Sequence, residues 1–496
     1  MQVFEYLVLS LYVLALVPIV VYSFGQLHLV ITYLMNRKKY KAEPPLEGDD
    51  VPFVTIQLPI YNELYVVERL LDSMAAMDYP KDKFEIQLLD DSTDETVEVA
   101  AKKIKELQEN GIQAHHIRRP DRVGFKAGAL AYGLDFAKGE YVAIFDADFL
   151  PRPNFLRASM SNFTDEKIGV VQARWEHINK DYSLFTEAQA FHLDAHFTIE
   201  QFGRDLGGFY MNFNGTAGVW RKECISDAGG WASDTLTEDL DLSYRAQMKG
   251  WKFKYVDEIG APAELPAEMG AIKSQQYRWM KGGAEVARKM VFTLWRSNES
   301  FAKKIHGTFH LLSSSVFIMV LMLGATSVPL LYLKHEVFNG RMDFLLIPVG
   351  LLLFSFLILA LFYISTSFRR EENPVEAIKR FLLNYIPYLS ISMGLSLHNT
   401  IAVLQGFAGK KTPFIRTPKF NLKKRSDNWT AVKYSTTKIS PSVFIELIMA
   451  AYFLLGVYMC FLFEDYSIMP FMLMEMLGFG AVGYFTLKHT IQKQSA

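Results

Sequence analysis

The stretch YVAIFDADFLPRP, residues 141–153, opens as an uncharged apolar run and ends on two aspartates, Asp146 and Asp148. A short run of this kind, rich in aromatic and β-branched residues, reads as a buried strand. Alternate residues of an extended chain point the same way, so the two carboxylates at the strand's end address one spot. Like charges that close repel unless a cation lies among them.

The flanking sequence repeats the pattern. FVTIQL (53–58) and FEIQLL (84–89) read as further strands, and VVERLLDSMAAM (66–77) and TDETVEVAAKKIKELQENG (93–111) as helices, the second closed by a glycine. Strand–helix alternation implies a mostly parallel sheet with helices on both faces. Ligands of such sheets sit beyond the carboxyl ends of the strands. There the first strand runs into PIYNE (59–63), the second into DDSTDET (90–96) and the third into DAD. Glu63, Asp90, Asp91, Asp146 and Asp148 are therefore expected on one edge. DDSTDET alone would read as a solvated helix cap; three acidic strand ends together point to a hard cation, Mg²⁺ or Mn²⁺, that also holds substrate phosphates.

Three stretches downstream add chemistry. RVGFKAGAL (122–130) offers Arg122 and Lys126 beside two glycines, suited to a diphosphate although also to a charged surface loop. LTEDLDLSYRA (236–246) puts Glu238, Asp239 and Asp241 at the head of a helix, where acids ordinarily offset the helix dipole. AIKSQQYRWMKGGAEVARK (271–289) places Gln275, Arg278 and Trp279 on one helical face. An indole beside a guanidinium can stack on a sugar while the charge reaches a phosphate.

The 496 residues carry a net charge of -1 and 50% hydrophobic side chains, which gives no reason to expect a nucleic acid partner. The apolar residues cluster. Stretches 6–35, 307–333 and 344–368 lack Asp, Glu, Lys and Arg, and 441–463 and 467–487 carry one acid each, Glu446 and Glu475. About 20 apolar residues span a bilayer, so five spans and lipid contact are expected. NRKKYK (36–41) follows the first stretch directly, which predicts the N-terminus outside and residues 36–305 in the cytosol. Residues 381–407 are nearly apolar enough to cross, but GKKTPFIRTPKFNLKKR (409–425) would then lie outside with seven basic residues, against the positive-inside rule. They are expected to lie along the interface instead. The division is a span at 1–35, a cytosolic domain at 36–305, two spans at 306–368, an interfacial segment and loop at 369–440, and two spans with a short tail at 441–496.

PIYNE, DDSTD, FKAGAL, DAD, FNGTAGVWR (213–221), TED (237–239) and QQYRW (275–279), in this order, resemble the processive family 2 glycosyltransferases. These are the cellulose, hyaluronan and mannan synthases, and the likeness is greatest to the plant cellulose-synthase-like A and C groups. The resemblance implies an α/β GT-A (Rossmann-like) cytosolic domain joined to an α-helical transmembrane region. It implies an inverting hexosyltransferase that moves a sugar from GDP-mannose or UDP-glucose to a growing β-glycan and exports the product, alone or with an accessory protein. A plasma-membrane location is implied if the source is prokaryotic. By the same resemblance Tyr61, Glu63, Asp90 and Lys126 hold the nucleotide, Asp146 and Asp148 the metal, and Asp239 is the general base. Gln275 and Arg278 bind the diphosphate, while Trp279, Phe213, Asn214 and Gly215 meet the acceptor. Residues 414–419, Phe-Ile-Arg-Thr-Pro-Lys, are similar to a gating loop in which Phe414, Thr417 and Lys419 match the family pattern and Arg416 replaces a usual Val. The alternative is a non-processive enzyme that adds one sugar to a lipid; a channel with a nucleotide-sensing domain is the non-enzymatic one.

Overall fold

The computed structural model describes residues 2–337, 346–412, 416–422, 427, 429 and 440–495. Seven strands form one sheet: β1 (Val54–Ile60), β2 (Phe84–Asp90), β3 (Ala114–Ile117), β4 (Tyr141–Ile144), β5 (Ile168–His177), β6 (Gly218–Arg221) and β7 (Lys252–Ala263). Their order is β3-β2-β1-β4-β6-β5-β7. All pairings are parallel except those of β6, which runs antiparallel to both β4 and β5. The mostly parallel α/β sheet expected from the sequence is thus present, with β6 as its antiparallel strand. β1 and β2 are covered on both faces, and their polar side chains pair across the ladder: Thr55 donates to Glu85 at 2.8 Å and Gln57 to Gln87 at 3.1 Å. Buried polar groups are tolerated where they find such partners.

Among the described residues, five helices are long and apolar enough to cross a membrane: Val3–Asn36, Ser313–Val337, Val349–Arg370, Ser442–Leu462 and Met469–Gln494. They coincide with the five stretches read from the sequence, with one shift. Residues 301–311 form a separate helix, because the chain turns through Ser313–Ser315 before the apolar helix continues. His310 of that shorter helix meets the Tyr244 hydroxyl at 2.9 Å and so packs beneath the sheet domain.

Residues 381–407 are not one helix. Pro374–Gly394 and Ser396–Phe407 are separate and neither is long and apolar enough to span. The first packs against Met469–Gln494 so closely that a Cβ at Gly478 would lie 1.9 Å from the Ser390 carbonyl oxygen. The second runs beside Met269–Arg296, where Tyr277 donates to Gln405 at 2.5 Å.

Two ion-pair clusters join the sheet domain to the apolar helices. Glu446 is fully buried and holds the Lys273 ammonium with both oxygens at 2.8 Å. Asp257 of β7 accepts from Arg369 at 2.9 Å, Arg370 at 2.8 Å and Tyr255 at 3.0 Å. Burial disfavours its charge, yet the arginines, Arg370 foremost, hold it below the usual carboxylate range. Glu475 is fully buried with no hydrogen-bond partner among the described residues.

Removing one member of a buried ion cluster strands the others. Asp257→Ala is expected to cost ~3–5 kcal/mol, read as lost thermal stability of the solubilised protein, and Asp257→Ala with Arg370→Met to cost less than the single change.

Candidate active site

The carboxyl ends of β1, β2 and β4 open on one cavity. Asp146 and Asp148 follow β4 and both line it, carried there by a turn beyond the strand's end rather than by strand alternation, since Ala147 between them lines the cavity too. The Asp146 amide donates to Thr216 Oγ1 at 2.9 Å, which fixes the turn. Lys126 reaches Asp146 Oδ1 at 2.5 Å and the Gly215 carbonyl at 2.8 Å. It stands in the first turn of the helix Phe125–Phe136, entered through Gly124 at φ 74°, a left-handed conformation that glycine adopts at little cost. Burial works against the Lys126 charge, but Asp146 and Glu238 outweigh it and raise its pKa.

Glu238 and Asp239 begin the helix Glu238–Met248 and line the opposite wall. Burial first, then the neighbouring Glu238 charge, pushes Asp239 up to about 7, while Lys126 opposes the rise. Gln275, Arg278 and Trp279 face the same cavity from Met269–Arg296. Glu268 caps that helix by accepting from the Gly270 and Ala271 amides at 2.9 and 3.1 Å. Trp279 packs near Ala190, Leu193 and Leu265.

Of the loop, Thr417 and Lys419 line the cavity; Phe414 lies outside the described residues. Arg278 donates to Thr417 Oγ1 at 2.7 Å and Lys419 to Asp148 at 2.8 Å. Arg416 pairs with Glu63 at 2.8 Å. Burial nonetheless lifts Glu63 to about 7, against the pull of Arg416. Tyr61 presents its ring to the Arg122 guanidinium, 3.4 Å from the centroid.

Two expected residues do not reach the cavity. Asp90 is buried, held by its own Ser92 amide and by His116, each at 2.8 Å. Its neighbour Asp91 lines the cavity instead, paired with Arg119 at 2.6 and 2.8 Å. Phe213 is a core residue whose ring packs on Trp220 at 5.4 Å, while Asn214 and Gly215 line the cavity. Glu264 was not anticipated. It accepts from Arg69 at 3.1 Å and from the Phe420 amide at 2.8 Å, so it anchors the loop; nothing in its local sequence, APAELPAE, signals this.

Seven carboxylates and five Lys or Arg side chains line the cavity. An excess of negative charge suits a divalent cation. No group of three metal-ligating side chains occurs among the described residues. That donor set fits Mg²⁺ or Mn²⁺, which keeps one or two carboxylates and takes its other oxygens from substrate phosphates and water.

Residues 52–282 match the model of a family described as glycosyltransferase like family 2. The chain is 41% identical over 280 residues to glucomannan 4-beta-mannosyltransferase 2 of Arabidopsis thaliana, covering 54% of this chain and 52% of that one. It is 39% identical over 334 residues to a probable glucomannan 4-beta-mannosyltransferase 7 of Oryza sativa subsp. japonica, covering 64% and 56%. The chain thus spans about half the length of the curated relatives it matches. The fold is GT-A. It is shared with the mannosyltransferase PcManGT from Pyrobaculum calidifontis, solved with GDP-Man and Mn²⁺, at a TM-score of 0.53 and 18% identity over 82% of this chain and 99% of that one.

Gly215 sits at φ 78°, and a Cβ there would lie 2.9 Å from Asp239 Oδ2. Gly215→Ala is expected to cost ~1–2 kcal/mol of stability. By displacing that carboxylate it should lower turnover by ~100-fold, measured as kcat on folded protein.

Proposed function

We propose that the protein is a membrane-embedded, inverting hexosyltransferase that extends a β-glycan from a nucleotide sugar. Of the two donors the sequence implies, the mannosyltransferase names of the plant relatives favour GDP-mannose over UDP-glucose, and a 4-linked mannan or glucomannan as product. The observation that carries the reading is that Asp146, Asp148, Lys126, Asp239, Arg278 and Trp279 line one cavity at the strand ends.

Asp146 and Asp148 are the residues that would hold Mg²⁺ or Mn²⁺; when bound, such an ion supplies positive charge against the diphosphate. Tyr61, Glu63 and Asp91 are placed for the nucleoside, with Asp90 acting only behind them through Ser92. Lys126 and Arg278, both cations in a low-dielectric site, meet the charge that develops on the leaving diphosphate. Trp279 stacks on the terminal sugar of the acceptor, with Asn214 and Gly215 beside it, and Gln275 joins Arg278 at the diphosphate. Asp239 accepts the proton of the acceptor hydroxyl as its oxygen bonds to the anomeric carbon and the bond to the diphosphate breaks. Attack from the face opposite the leaving group inverts the centre. A glycosidase needs a second carboxyl as acid; a diphosphate leaves without one.

Thr417 and Lys419 close the site from the 369–440 segment, whose residues 381–407 lie at the membrane interface. On this reading the five apolar helices cross a membrane, with residues 36–305 cytosolic and the N-terminus outside; the basic run NRKKYK directly after the first helix supports that orientation. The polymer leaves between these helices, through contacts with lipid-embedded segments that an accessory protein can extend.

Purified protein with Mn²⁺ and labelled GDP-mannose is expected to give a polymer digested by β-mannanase; one sugar on lipid would overturn the processive reading. Asp239→Asn should lose ~10²–10⁴-fold in rate. Because Asp239 is raised to about 7 and must be unprotonated to act, turnover should rise as pH increases through that region. Chelation of the divalent ion should stop incorporation.

A further inference from the structure

Asn214 lines the cavity next to Gly215 and Asp239, and its side-chain amide is held from behind by a directional chain of hydrogen bonds. At one end Gln201 donates through Nε2 to the Asn212 carbonyl at 2.7 Å, a backbone acceptor that cannot turn round. The same nitrogen donates to Asn214 Oδ1. That leaves Asn214 Nδ2 facing His196 Nε2 at 2.9 Å. At the other end His196 Nδ1 lies 2.7 Å from Glu200 Oε2. Burial disfavours the Glu200 charge, but Arg204 and His196 outweigh it and hold its pKa well below the usual carboxylate range. An ionised carboxylate only accepts, so the ring proton sits on Nδ1 and Nε2 is the acceptor that Asn214 needs. Gln26 of the first apolar helix donates to the other Glu200 oxygen at 3.1 Å and to the Tyr22 hydroxyl at 2.7 Å.

His196 to Gln201 form a widened π-type turn between two α-helical segments, a feature frequent at functional sites. The wide turn brings His196, Glu200 and Gln201 into a single network around Asn214.

We propose that Glu200 and His196 are positioning residues of the transfer reaction: they fix the amide of Asn214 as an oriented donor to the acceptor glycan. An Asn side chain can give two N–H bonds, and His196 takes one. The second is available to a sugar hydroxyl beside Asp239. This rests on the reading of the cavity as a hexosyltransferase site, and it extends that site to side chains that do not line the cavity. Neither residue touches substrate; both act through Asn214.

Two substitutions at one position separate positioning from simple packing. His196→Asn keeps a donor near Glu200 but has nothing at the Nε2 position. His196→Gln reaches that position, where its Oε1 can accept from Asn214. Turnover with labelled GDP-mannose is expected to fall ~10- to 100-fold in His196→Asn, with KM for the donor unchanged, and to be largely retained in His196→Gln. In an Asn214→Ala background His196→Asn should cause no further loss, because residues acting as one unit are not additive. Equal losses in the two His196 variants, or losses that multiply in the Asn214→Ala background, overturn the inference. If the wild-type protein transfers sugar from no nucleotide donor, the functional reading fails, and this inference with it. A working wild type with uncoupled variants sinks the inference alone.

Discussion

Carboxylates gathered at the ends of parallel strands repel one another, and most of the architecture around the cavity answers that repulsion. Each counter-charge comes from a different part of the chain. Lys126 opens a helix after β3, Arg278 comes from a helix following β7, and Arg416 and Lys419 belong to a loop more than 130 residues further on. Pairing is specific: Lys126 takes Asp146, Lys419 takes Asp148 and Arg416 takes Glu63. Residues 416–419 therefore lie over the cavity because the acidic ends of β1 and β4 attract them. Burial raises Glu63 and Asp239 and leaves them poised near neutrality, so small changes in local charge alter their protonation.

The same demand joins the cavity to the apolar helices. Met269–Arg296 carries Gln275, Arg278 and Trp279 toward the cavity, while its Lys273 binds Glu446 inside the helical region. A lysine buried this way loses solvation and keeps its charge only through its partner. The helix cannot turn about its axis without breaking one set of contacts or the other. Trp279 thus keeps a fixed place between the chemistry and the helices. The Asp257 cluster does the same on the far edge, tying β7 to the end of Val349–Arg370.

How much of this the sequence disclosed depends on the length over which a pattern repeats. The five apolar helices, β1, β2 and β4 were legible because each shows a run long enough to set a period or a composition. β3 and β6 have four residues each, and AHHI carries two histidines, so neither displays a period at all. β5 begins with fully buried residues and ends half-buried, which obscures any alternation. The break at 394–396 was invisible for another reason. It sits where Gly394 approaches Gly478 on a different helix, a contact some 80 residues away in sequence.

Within the cavity the same limit applies to single residues. Asp90 and Asp91 are adjacent, and strand alternation says that only one of them can face a given side. It does not say which. The partner across the ladder decides: β3 carries His116 beside β2, and His116 draws Asp90 inward. Asp91, one step on, leaves the strand and is turned to the cavity by Arg119. Phe213 and Asn214 divide in the same way, the ring entering the core against Trp220 and the amide facing outward. A motif read along the chain marks where chemistry gathers; the neighbours contributed by other strands and helices select which of its residues perform it.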